Sequence, residues 1–320
     1  MRNKCRHESV RGVNQVVLVA ALFITLFANF AFFRHLYTIF ANTPSGWVHI
    51  ASLAVTLYCA TALLLLIFSF RALLKPAFIV LLLVSAVTAY FMDTYNVIID
   101  HNMVLNVVST DVAEVRDLLA PRLAAYLTLL FVLPSVMLWR SRLRATSIRR
   151  AVFARLALMV AALVVLVAQP LAFGDFYASF IREHKALRYY ANPAAPLYSA
   201  YRYAMGREAR SNQEVESIGL DANIPPVDPD RELVVMVVGE TARADHFSLN
   251  GYTRETNPEL ARKPVISFTD VAACGTSTAV AVPCIFALEG RENFIVEKAG
   301  AKENILDVLT HAGVNVLWRD

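Results

Sequence analysis

Five stretches of this chain, at about 13–33, 47–70, 77–95, 122–139 and 151–173, are apolar over the length a helix needs to cross a bilayer, roughly 20 residues each. Five such runs in succession leave too little polar sequence to cover them, so they are not the buried core helices of one large soluble domain. With 57% of residues hydrophobic and 18% charged, much of the chain must sit in lipid. The first run leads into Phe30, Phe32, Phe33 and Arg34 without a small-residue cleavage pattern, so it reads as a retained anchor and not a cleaved signal.

The net charge of +4 is not spread evenly. Basic residues cluster before the first run (Arg2, Lys4, Arg6, Arg11), between the second and third (Arg71, Lys75) and between the fourth and fifth (Arg140, Arg142, Arg144, Arg149, Arg150). These segments share one side, the cytoplasm, and their charge carries topology and not nucleic-acid binding. The loop between the third and fourth runs is acidic, with Asp93, Asp100, Asp111, Glu114 and Asp117. An odd number of crossings places everything after Phe173 outside, which in a Gram-negative cell is the periplasm. A multi-pass inner-membrane protein with a cytoplasmic N-terminus is expected.

From 176 to 203 aromatic residues alternate with Arg182, Lys185, Arg188 and Arg202. The pattern fits a segment lying along the bilayer interface, and equally an ordinary helical linker with aromatic contacts. Pro225, Pro226 and Pro229 interrupt any helix in the polar stretch that follows. The expected division is a transmembrane domain at 1–175, a bridging segment and linker at 176–231, and the N-terminal part of a further domain at 232–320. There the pattern becomes α/β: LVVMVVGE at 233–240 reads as a buried parallel strand, with further strands at 265–269 and 314–318 and helices at 278–288 and 303–312. Ending just after a strand, at Asp320, the chain reads as an incomplete α/β domain.

Two features carry chemistry. Glu240 ends the first predicted strand, where open α/β sheets present ligand sites, although a carboxylate there also caps helices or faces solvent. CGTSTAVAVPC at 274–284 sets Thr276, Ser277 and Thr278 ahead of an apolar helical run, a place to hold and attack a phosphate or simply to cap the helix. Of the four cysteines, Cys5 precedes the first apolar run and Cys59 lies inside one, so only Cys274 and Cys284 look like a disulfide pair. Such a staple would pre-organise a nucleophile.

VVGETARADHFSLNGYTRETNP at 237–258 together with CGTSTAVAVPC resembles the paired signature of the phosphoethanolamine transferases, of the chromosomal lipid A and mobile colistin-resistance types, in the alkaline phosphatase and sulfatase superfamily. The resemblance implies a Zn2+ cofactor with Glu240 and Thr278 as ligands, Thr278 as the nucleophile that becomes phosphoethanolamine-modified, and a disulfide between Cys274 and Cys284. NMVLNVVSTDVAE at 102–114 is similar to the family's substrate-binding stretch, with Asn106, Thr110 and Glu114 on one face of a helix. The implied reaction moves phosphoethanolamine from phosphatidylethanolamine to a lipid A phosphate, conferring resistance to polymyxins and other cationic peptides. The competing readings are transfer of phosphoethanolamine or phosphoglycerol to another glycan, and an inactive membrane fragment. A monomer is favoured, with no nucleic-acid partner. The family completes its zinc site with a late aspartate and histidine that this sequence does not reach, so a truncated domain is expected. Neither His246 nor His311 is expected to replace them.

Overall fold

A computed structural model describes residues 12–70, 72–109, 120–144, 147–211, 215–225, 232–239 and 242–319. It divides into two compact units, Met1–Tyr203 and Ala204–Asp320.

The first unit is helical. The expected span at 13–33 is two helices, α1 (Val13–Phe27) and α2 (Phe30–Phe40), bent by 58° at Asn29. The bend has a side-chain cause. Asn29 Nδ2 donates to the Ile24 carbonyl at 3.0 Å and to the Asn192 carbonyl at 3.0 Å, while Asn29 Oδ1 accepts the Asn192 amide at 2.9 Å. Asn192 Nδ2 in turn donates to the carbonyls of Ala28 (2.9 Å) and Ser85 (2.8 Å), and its Oδ1 accepts the Thr88 hydroxyl. Both asparagines are buried, so the carbonyls released at the break are satisfied without water.

A second device holds the start of α2. Asp93, in the last turn of α4 (Leu74–Tyr95), accepts the Ala31 amide at 2.8 Å on Oδ1 and the Tyr126 hydroxyl at 3.0 Å on Oδ2. Counted among the loop acids in the sequence, Asp93 is instead a buried carboxylate placed against a helix N-terminus, where the backbone dipole favours it. Left-handed Asn96 (φ 55°) terminates α4.

The other spans follow expectation within a few residues: α3 (Gly46–Ile67), α6 (Pro121–Arg140) and α7 (Ile148–Ala172), with the short α5 (His101–Ser109) between α4 and α6. Within α6 the ring of Pro134 would clash with the carbonyl one turn back; the helix widens to a π-helical stretch over Leu127–Val132, and the Leu133 amide bonds Thr128 O. Lys75 Nζ donates to the Trp139 and Ser141 carbonyls at 2.8 and 2.9 Å, closing the C-terminal end of α6. Val17, Ala21 and Ile24 on α1 share one buried cluster with Ala62, Leu65 and Leu66 on α3, the helix that α1 lies against, and with Phe78, Leu82, Ala86 and Ala89 on α4. By contrast α7 buries none of its residues and exposes Val160, Leu163, Val164 and Val167, the signature of a helix whose surroundings are lipid.

After α7 the chain runs through α8 (Gly174–Glu183), a 3₁₀ turn (Lys185–Tyr190) and α9 (Ala194–Ser211). Tyr177 on α8 bonds Ser52 (2.9 Å) and Thr56 (2.7 Å) on α3, and Phe176 stacks on His49 at 4.0 Å. The 176–203 segment is therefore helical and bound to the ends of the spans.

The second unit departs from expectation. None of the predicted strands at 233–240, 265–269 and 314–318 forms a ladder; β-pairing among the described residues is confined to isolated bridges such as Glu216 to Lys302. Leu233 is 88% exposed and Val237 85%. A parallel strand is stabilised by neighbours on both edges and cover on both faces, and among the described residues nothing supplies them. The predicted helices do form, as α10 (Thr278–Phe286) and α11 (Ile305–His311).

Asn304 caps α11, accepting the Leu306 amide at 2.9 Å, while Asp307 accepts the Asn304 amide at 2.9 Å. The neighbouring Glu303 carboxylate meets His311 Nε2 at 2.9 Å and accepts the Ile218 amide at 3.0 Å. These partners, His311 first, hold the carboxyl below its usual range. A depressed carboxyl stabilises fully above that range and loses the contribution as pH falls through it. Glu303→Gln is thus expected to weaken hydrogen-exchange protection of the Ile218 amide at neutral pH, and the gap between variant and native protein to close on acidification. For the membrane unit, Asn29→Ala leaves the buried Asn192 amide and carbonyl without this partner, an expected loss of about 3 kcal/mol read as a lower thermal midpoint in detergent.

Candidate functional site

Thr278 opens α10, following Ser277 in extended conformation (φ −115°, ψ 145°). The Ser277 carbonyl accepts the Val280 and Ala281 amides at 3.0 and 2.8 Å, starting the helix without a side-chain cap bond from Ser277. The Thr278 side chain is exposed and no acid lies in the first turn of α10. An exposed hydroxyl at a helix N-terminus whose first turn carries no acid suits an approaching phosphate.

The turn before Thr278 is fixed from two sides. A disulfide joins Cys274 to Cys284, with Cα atoms 6.3 Å apart, tying the entry loop to the far end of the helix. Gly275 sits so close to the helix that a Cβ there would meet Val280 Cγ1 at 2.9 Å. Cys284 and Phe286 are buried, and Phe286 meets Trp318 edge-on at 5.7 Å. Beside this turn opens a cavity of about 960 Å³ with Val237, Phe247, Ile266, Phe268 and Ile285 in its walls.

Residues 243–257 of the 237–258 motif fold into a compact hydrogen-bonded loop. Arg243 holds Asp245 at 3.0 and 2.6 Å, and Asp245 also meets His246 Nδ1 at 3.0 Å; these partners, Arg243 first, keep the Asp245 carboxyl far below the usual range. The Thr256 hydroxyl donates to the His246 carbonyl and accepts the Ser248 amide, and Ser248 Oγ accepts the amides of Thr256 and Asn257. Gly251, at φ +94°, makes the tight turn between them. His246 is thus engaged by Asp245 and stacked near Tyr252, and His311 by Glu303.

Of the expected site residues, Glu240, Thr110 and Glu114 lie outside the described residues. Asn106 lies in α5 of the first unit, half-buried, and Thr278 lies in the second. Asp100 caps α5, its Oδ1 accepting the Met103 amide at 2.9 Å; an aspartate just ahead of an apolar helical run was the available signal for that role. Among the described residues no three histidine, cysteine or carboxylate side chains gather to hold a metal.

Residues 57–207 match the family model described as phosphoethanolamine transferase EptA/EptB, and residues 232–320 match the sulfatase model. Phosphatidylethanolamine transferase Mcr-1 of Escherichia coli is 41% identical over 98% of this chain, and phosphoethanolamine transferase EptA of Escherichia coli K12 is 35% identical over 95%. The chain belongs to the phosphoethanolamine transferase family. Lipooligosaccharide phosphoethanolamine transferase A of Neisseria meningitidis, an integral membrane protein, superposes with a TM-score of 0.88 at 26% identity, over 96% of this chain and 58% of that structure. The chain spans 60% of the length of Mcr-1 and 56% of EptA. With the apolar, lipid-exposed helices described above, this likeness makes the chain an integral membrane protein.

Two perturbations test the rigidity of the turn. Cys274→Ser opens a loop of about ten residues, with an expected loss of about 3 kcal/mol measured by denaturant unfolding with and without reductant. Gly275→Ala should raise protease cleavage between 270 and 280, because its new methyl group must displace Val280.

Proposed function

We propose that the protein carries out the family's transfer, moving phosphoethanolamine from phosphatidylethanolamine to a lipid A phosphate, with Thr278 as the nucleophile. The supporting observation is the exposed Thr278 hydroxyl at the N-terminus of α10, on a turn clamped by the Cys274–Cys284 disulfide and the close approach of Gly275 to Val280. In this reading Thr278 Oγ attacks the phosphorus of the donor, and the diacylglycerol oxygen leaves with a proton. A phosphate oxygen of lipid A then attacks the phosphothreonine, and Oγ regains its proton. The N-terminal dipole of α10 favours the negative charge that builds on the phosphoryl oxygens in both steps.

Zinc enters the proposal through Glu240 and Thr278, and when bound it would lower the threonine pKa and polarise a phosphoryl oxygen. Asn106, Thr110 and Glu114 belong to the donor site in this reading, Glu114 opposite the ethanolamine ammonium. The arginine-rich loops face the cytoplasm and residues 232–320 the periplasm, where both lipid headgroups lie. The domain limits of the reading are 1–175, 176–231 and 232–320. Masking lipid A charge in this way weakens the attraction of polymyxins and other cationic peptides.

The test is mass spectrometry of the peptide containing Thr278 after incubation with phosphatidylethanolamine in membranes. The native protein should carry phosphoethanolamine on Thr278, Thr278→Ser should retain an adduct, and Thr278→Ala should lose it. Donor turnover continuing in Thr278→Ala would exclude this nucleophile. Purified lipid A and core oligosaccharide acceptors, offered separately, distinguish the acceptor.

A further inference from the structure

Residues 68–76 and 137–155 hold eight basic side chains and no acid. The fold joins these stretches at one end of the membrane unit, through Lys75 on the Trp139 and Ser141 carbonyls and through Arg155 over the Phe70 ring. Topology signals explain the basic residues in the loops, but they do not explain Arg155. It lies seven residues beyond the start of α7, about 10 Å along the helix, past Arg149 and Arg150, and is the last charged residue before the helix ends. A cation at that depth is costly unless paired.

Arg155 has no protein counter-charge among the described residues. Its Nε is closed from solvent and meets no acceptor, and no described carboxylate pairs with it. Its guanidinium carbon lies 5.5 Å from the centroid of Phe70, which caps one face of the group and leaves its edge for another partner. Phe70 is itself exposed, as are Ile67 at the end of α3 and Val152 and Leu156 beside Arg155 on α7. A partner with two acceptor oxygens on one centre and long apolar chains fits such surroundings, whereas a soluble anion or a nucleic acid would have to leave water to reach it.

We propose that the end of the α3–α7 pair is a binding site for an anionic phospholipid. Its phosphodiester oxygens are bonded by the Arg155 guanidinium above Phe70, its acyl chains lie on Ile67, Val152 and Leu156, and its net charge is matched by the basic residues of these two stretches. The site involves neither Thr278 nor the donor-binding residues, so it stands apart from the transfer reaction.

Native mass spectrometry of the full chain released from detergent, with phosphatidylglycerol or phosphatidylethanolamine added, tests this. The native protein is expected to retain one phosphatidylglycerol under activation that strips phosphatidylethanolamine. Arg155→Met should weaken that retention about tenfold, Arg155→Lys should weaken it less, and Arg150→Met, at an exposed loop-side position, should change it little. Equal retention of the two lipids by the native protein overturns the proposal whether or not the variants fold. So does unchanged retention by a folded Arg155→Met. If Arg155→Met does not fold, Phe70→Leu takes its place: it keeps the charge and removes the ring, and reduced retention supports the site while unchanged retention overturns it.

Discussion

Inside hydrocarbon a backbone amide or carbonyl that lacks a partner has no water to turn to, and the membrane unit is organised around meeting that demand where its first span breaks. Asn29 and Asn192 exchange main-chain and side-chain bonds reciprocally, and Asn192 directs its side-chain donors to the Ala28 carbonyl, just past α1, and to a carbonyl of α4. Asp93 closes the other side of the break by accepting an amide of α2. Three polar side chains from distant parts of the sequence thus turn what would be a costly interruption into a fixed corner. The direction of α2 depends on that corner, and so does the packing of α2 against α3 and α4.

The second unit uses covalent and steric constraint where the first uses hydrogen bonds. The disulfide and the close approach of Gly275 to Val280 leave the loop ahead of α10 little freedom, so the Thr278 hydroxyl is presented at a defined place relative to the helix N-terminus. In the other long motif, the side chains from Arg243 to Asn257 bond chiefly to one another. Arg243, Asp245, Ser248 and Thr256 bond within the loop, which explains why so polar a sequence folds compactly without a sheet beneath it.

Hydropathy alone located the spans, because a helix surrounded by lipid needs only length and apolar side chains, as α7 shows. It missed the break at Asn29: one asparagine in an apolar run carries no mark of a partner at residue 192. Asp93 was misplaced for the same reason, since its partners Ala31 and Tyr126 are set by packing and not by spacing. In the second unit the helix at 278–286 was legible from a local signal, hydroxyl residues directly ahead of an apolar helical run. The strand at 233–240 was read from composition, but a strand exists only through its neighbours, and no composition guarantees those. The threonine and the disulfide came from motif resemblance. The structure adds the steric role of Gly275, which depends on where Val280 lands.

The Asn29–Asn192 lock also sets an order of events in biosynthesis. The two residues are 163 positions apart, and translation covers that distance in roughly ten to thirty seconds. For that interval α1 and α2 are already made while the carbonyls and amide that Asn192 will satisfy wait for it. The corner can close only after the last span has been inserted and the chain has re-emerged beside the first. The first helices made are therefore not the first membrane helices completed, and insertion of α7 is the event that permits their completion.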